Sequence, residues 1–114
     1  MKATRYKMYL GRNMPDGMRV DRCEFNRWFD RENELNAWTL YYDISGGWEG
    51  VPEDTVIIEI LIPATTMPAI LQFNADINDL IEVERFIALA ESYKDNFMQD
   101  AVLIVREQVD MDLI

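Results

Sequence analysis

Histidine is absent from this sequence of 114 residues, and cysteine occurs once, at Cys23. Without imidazole there is no histidine general base and no Ser-His-Asp or Cys-His nucleophilic site. Without a thiolate cluster there is no zinc site of the usual kind. Basic residues are also scarce, with 11 Lys plus Arg against 21 Asp plus Glu and a net charge of −10. That balance disfavours direct binding of DNA or RNA over the whole surface. No apolar run approaches the ~18 residues a membrane span needs, and the first residues, MKATRYKMYLGR, lack the long apolar stretch of an export signal. The expectation is a cytoplasmic protein with no membrane partner. A lone thiol fits a reducing compartment, where Cys23 is expected to be a small, partly buried hydrophobe.

What is present is 49% hydrophobic and 11% aromatic residues, enough for one core and a single domain over 1–114. The charge is unevenly placed. Residues 1–31 carry eight basic and four acidic groups, net +4, whereas residues 32–114 carry three and seventeen, net −14. Such a split can produce two opposed surfaces.

Alternation over residues 4–12 predicts a half-buried strand with Tyr6, Met8 and Leu10 on one side. Pro15, Asp16 and Gly17 predict a turn. Asp21 followed by Glu24 reads as a capping box, with Val20 and Phe25 at the staple positions, opening a helix to about residue 35 whose apolar face is Phe25, Trp28, Phe29 and Leu35. A second strand is expected over 37–44, broken by SGGWEGVPED, and a third, central strand over 55–62, ended by Pro63 and Pro68. TTMPAILQF is expected to form a short helical turn. Asp76 or Asn78 is expected to cap a second long helix ending near Asn96, with Val83, Phe86, Ile87, Ala90 and Tyr93 inward and Asp79, Glu82, Glu84, Arg85 and Glu91 on the wet side. The last strand is expected over 101–109. The order strand, helix, strand, strand, helix, strand is the ferredoxin-like βαββαβ pattern of an α+β fold, an antiparallel sheet with both helices on one face.

The paired glycines of LGRNMPDGMRV, the strand and Gly-Trp turn of TLYYDISGGW, and the final YKDNFMQDAVLIV segment together resemble a small family of uncharacterised bacterial and phage-type proteins. The family's fold is ferredoxin-like. It has no established activity, so the resemblance implies a fold and no chemistry. The chain departs from that pattern in a shortened link between the first helix and second strand and in the Gly46-Gly47 pair.

A sheet with helices on one face leaves the other face open. If Met8, Leu10, Leu40 and Ile58 point inward, the open face carries Arg5, Lys7, Tyr9, Thr39, Tyr41, Ile57, Glu59 and Leu61. Exposed apolar area of this kind marks an interface, here between copies of the chain, with Thr39, Tyr41, Ile57, Glu59 and Leu61 buried in it. The sharper reading is a ligand cleft. Arg5, Lys7, Arg12 and Arg19, with the amides of the 11–17 loop and the first helix start, are candidates to hold a small anion, and Tyr9, Tyr41 or Trp48 to stack on a base. The bland reading is that these cations only neutralise nearby carboxylates. No Walker or dinucleotide fingerprint is present.

Asp76, Asp79, Glu82, Glu84 and Glu91, with Glu49, Glu53 and Asp54, offer an acidic surface suited to a basic protein partner; the bland reading is solubility. Glu59 is the one candidate for acid or base catalysis, with Tyr41 or Arg5 as electrophilic partner, and the bland reading pairs it with a cation across a dimer. No metal or cofactor motif appears. The sequence therefore points to a non-catalytic, homo-oligomeric binding module that takes a small anionic, nucleotide-like ligand. The alternatives are an acidic phage-type inhibitor that blocks a host defence or nucleic-acid-binding partner, and a small enzyme using Glu59.

Overall fold

The computed structural model describes residues 1–63, 69–112 and 114, and of residues 69–78 the backbone alone. The elements run β1 (Lys2–Gly11), α1 (Arg22–Glu32), β2 (Thr39–Trp48), β3 (Val51–Pro63), α2 (Ala69–Phe97) and β4 (Leu103–Asp110). The four strands form one sheet in the order β2-β3-β1-β4, every neighbouring pair antiparallel. This is the ferredoxin-like arrangement expected from the element order. Among the described residues no helix is long and apolar enough to cross a membrane.

The alternation of β1 and β3 sets the two faces. Tyr6 pairs with Ile60 and Met8 with Ile58, and the side chains of Met8, Leu10, Val56, Ile58 and Ile60 pack under the helices. From α1 come Phe25, Trp28 and Phe29, and from α2 Phe86, Leu89, Ala90, Tyr93 and Phe97. The rings interlock edge to face: the Trp28 and Tyr93 centroids lie 5.2 Å apart and those of Tyr93 and Phe97 4.9 Å. Trp28 Nε1 donates to Ser92 Oγ at 3.0 Å, pinning the two helices together at the one polar atom the indole brings inside.

Asp21 caps α1, its carboxylate accepting from the Glu24 amide at 2.8 Å. The helix stops at Glu32, earlier than the apolar pattern suggests. Asn33 then ends it, its side chain accepting from the Leu35 amide, so Leu35 reaches the core from the connection and not from the helix. Cys23 is exposed, because it lies off the stripe that Phe25, Trp28 and Phe29 bury.

Three sequence expectations change. The segment SGGWEGVPED does not break β2: Ser45–Trp48 pairs with Val51–Asp54 as a hairpin ribbon. Its turn, Glu49-Gly50, has φ of 50° and 80°, the doubly left-handed turn that suits the twist of two strands. A bulge at Tyr41/Ile44, with Asp43 at φ 56°, shifts the register on the way. Second, α2 begins at Ala69, so Asp76 and Asn78 lie inside it and cap nothing; of TTMPAILQF, residues 69–73 belong to this helix and the rest falls outside the described residues. Third, Ile87 is exposed, while Glu82 is 8% exposed and accepts the Asn36 amide on both oxygens at 3.2 and 3.0 Å. Glu82 thereby satisfies the turn between α1 and β2, where no backbone carbonyl reaches.

Replacing Glu82 by Ala strands that amide, and urea unfolding is expected to show a loss of about 1–3 kcal/mol, whereas the exposed Glu84→Ala is expected to stay within about 0.5 kcal/mol. The Glu24 amide holds the Asp21 carboxyl below its ordinary 3.8. The charged form is thus favoured by folding, so this contribution is present above 3.8 and is lost as the pH falls through the depressed folded value. Unfolding curves at a series of acidic pH values are expected to show a shallower decline for Asp21→Asn than for the wild type.

Candidate functional site

The open sheet face is built from the odd-numbered residues of β1, β3 and β4. Arg5, Lys7 and Tyr9 lie opposite Leu61, Glu59 and Ile57 on one side and Glu107, Val105 and Leu103 on the other. Leu61, Leu103 and Val105 are 42%, 54% and 38% exposed, and Tyr41 joins them from β2 at 39%. Leu103 and Val105 belong to this face although sequence reasoning did not place them there; the alternation of LIVREQV and its pairing with β1 are the signal that carries them.

At one end of the face is an ion cluster. Arg5 Nη1 donates to Glu107 Oε1 at 2.9 Å, and Arg5 Nε sits 3.0 Å from Glu59 Oε1, an ion pair not directed as a hydrogen bond. The Tyr41 hydroxyl donates to Glu59 Oε2 at 3.2 Å. The hydrogen bond to Glu107 raises the Arg5 pKa above its ordinary value, and burial, reinforced by Glu59, raises that of Tyr41. Glu59 thus has both oxygens engaged by side chains of its own chain, where sequence reasoning had offered a cation across a dimer. Thr39 stands exposed opposite it on β2.

At the other end is a cleft of about 450 Å³. Its walls come from the β2–β3 hairpin, the loop after β1, and the turn between α2 and β4. Two glycines on the open face, Gly11 and Gly46, line its floor, and the space above Gly11 is taken by the Glu53 carboxylate. The bulge in β2 brings Trp48 onto this same face, opposite Val51, and Trp48 and Tyr9 supply the rings. Glu53 lies over Gly11, its carboxylate in the space that a Cβ at position 11 would enter, so a side chain there would push the carboxylate aside. Glu53 Oε2 accepts the Asn13 amide at 2.8 Å, and the Asn13 side chain donates to the Pro52 carbonyl. Gln99 closes the third wall, donating to the Asn13 carbonyl at 2.7 Å. Beneath, the Tyr93 hydroxyl donates to the Gly11 carbonyl at 2.5 Å, and burial, then the Glu53 charge, raises its pKa.

The four basic candidates are not brought together. Arg12 is buried, its Nε donating to the Val20 carbonyl at 2.8 Å and its Nη1 3.5 Å from Asp43. Arg19 pairs with Asp54. Arg5 is in the ion cluster. Among the described residues Lys7 alone of the four has no carboxylate within ion-pair distance, and it lies on the open face one pleat, about 7 Å, from Tyr9. The loop amides face inward as well: those of Arg12, Met14, Gly17 and Val20 bond backbone carbonyls, and that of Met18 bonds Asp16. Of the groups that suggested an anion cradle, Arg12 and Arg19 tie the loop to β2 and β3, and the amides of Met14, Gly17, Met18 and Val20 close the loop on itself.

The acidic residues are dispersed. Glu82 is buried and Glu53 and Asp54 grip the loop, whereas Glu49, Glu84 and Glu91 are exposed. The Asp76 side chain falls outside the described residues. Among the described residues no group of three or more acidic or sulfur side chains is arranged to hold a metal ion.

No protein-family model matches the chain, and no curated protein does. The fold is similar to that of a phage SAM lyase in complex with S-methyl-5′-thioadenosine, with a TM-score of 0.57 and 16% identity over 92% of this chain and 80% of that one. A nitrogen regulatory PII-like protein, CPII from Thiomonas intermedia K12, bound to ADP, AMP and bicarbonate, matches at a TM-score of 0.45 and 13% identity, covering 99% of this chain and 98% of that one.

Proposed function

We propose that the chain is a non-catalytic binding module that works as a homo-oligomer and holds a small, nucleotide-like ligand at the cleft end of its open sheet face. The cleft itself carries the reading. Its volume falls at the lower end of the range for small-molecule sites, and Trp48 and Tyr9 offer faces on which a base stacks. Lys7, one pleat along β1, is the cation that an anionic group leaving the cleft would meet. The phage SAM lyase of similar fold holds an adenosine derivative, which makes nucleosides the first ligands to try.

The oligomer follows from the middle of the same face. Leu61, Leu103, Val105 and Tyr41 are half-exposed and stand on the strands to either side of Arg5, Lys7 and Tyr9, an apolar area that soluble chains cover with a partner. Glu59 stays in a structural role, because Arg5 and Tyr41 already occupy it.

Titration of the protein with adenosine and AMP, followed by calorimetry or amide chemical shifts, is expected to saturate, and Trp48→Ala to weaken binding about tenfold through the lost stacking. Absence of saturation with either ligand at millimolar concentration would overturn the ligand reading. Sedimentation is expected to show an oligomer that Leu61→Glu combined with Leu103→Glu dissociates. A wild-type protein that stays monomeric at high micromolar concentration would remove the interface.

A further inference from the structure

We infer that the cleft selects nucleosides and nucleoside monophosphates and rejects nucleoside polyphosphates, a ligand class that rests on the cleft being a nucleoside site. The argument is the charge that lines it. Glu49, Glu53 and Asp100 all face the cleft, and no lysine or arginine does. A polyphosphate site uses the reverse composition, backbone amides and guanidinium groups converging on the phosphates. Here the amide an incoming phosphate would seek, that of Asn13, is held by Glu53. That carboxylate is fastened by the Asn13 amide over a position where Gly11 presents no Cβ to displace it. The nearest arginines are committed as well: Arg12 to the Val20 carbonyl and Arg19 to Asp54.

What the Glu53 carboxylate can do is accept. An ionised carboxylate offers only acceptor positions, and an exocyclic amino group of adenine or cytosine, or a ribose hydroxyl, is the donor that matches its Oε1. The rings of Tyr9 and Trp48 take the flat side of the base. Lys7 then stands outside the carboxylate ring as one positive charge for one phosphate. Each further phosphate adds negative charge near Glu49 and Asp100 with nothing left to neutralise it, and at low ionic strength that repulsion reaches across the whole cleft.

Affinities for adenosine, AMP, ADP and ATP measured by calorimetry at low and at high salt test this. Adenosine and AMP are expected to bind within about threefold of each other, and ATP at least tenfold more weakly than AMP at low salt, the gap closing as salt is raised. The Glu49→Gln, Asp100→Asn double variant removes two exposed charges without touching the Glu53 tether, and is expected to narrow the gap severalfold while leaving adenosine within about threefold. ATP binding as tightly as AMP in the wild type, or a gap unmoved by the double variant, would overturn the charge selection while leaving the nucleoside site standing. Failure of all four ligands to bind would overturn the nucleoside site as well.

Discussion

The antiparallel pairing of β1 with β3 is the constraint from which the rest of the molecule is assembled. Because Met8 faces Ile58 and Tyr6 faces Ile60, one face of both central strands becomes apolar and must be covered. The only elements available to cover it are the two helices, whose aromatic stripes interlock above it. With both helices spent on one side, the opposite face is left bare. Along β1 on that face the ion cluster lies at Arg5 and the cleft at Tyr9 and Gly11, with Lys7 between them.

The charge of −10 has a more specific meaning in three dimensions than in sequence. Three arginines of the basic first third are engaged by carboxylates and carbonyls, most of them from later in the chain, while Arg22, Arg27 and Arg31 stay exposed on α1. Arg5 meets Glu59 and Glu107, Arg12 meets Asp43, and Arg19 meets Asp54. Exposed pairs of this kind add little stability each. The effect of the Arg12 and Arg19 pairs is positional: they fasten the segment after β1 to β2 and β3, beside two of the walls of the cleft. Burial of Arg12 makes its pairing different in kind, since losing the Val20 carbonyl would leave a charged donor inside the fold.

Much of this architecture is legible in the amino-acid order. Strict alternation in β1 and β3 and the Asp21 cap are local signals, and local signals survive into the fold. The element order is enough to specify the βαββαβ topology and to identify the open face from Arg5 to Leu61. The cleft is harder to read, for reasons that concern particular residues. Glu49-Gly50 looks like any polar loop until its two left-handed residues are recognised as a tight turn. Glu53 and Gly11 are far apart in the chain, and nothing local says that one fills the space the other leaves. The start of α2 is hidden because its first turns lack the capping residues that mark α1, while Glu82 looks like a solvated helix residue until the Asn36 amide arrives from another element. The arginines were read for their charge, and their partners, all non-local, decide what they do.

The bulge between Tyr41 and Ile44 separates the stretch of β2 beside the core from the hairpin tip. A strand carries its side chains to alternate faces, so a single extra residue reverses the facing of everything beyond it. Here the reversal falls after Leu40, which has already made its core contacts, and before Gly46 and Trp48, which line the cleft. Removing the extra residue would leave an unbroken ladder in which Tyr41 still faces Ile57 and Trp48 still faces Val51, because residues paired across two strands share a face. The bulge is thus a joint at which β2 can gain or lose a residue while the pairing on either side of it, toward the core and toward the tip, is kept.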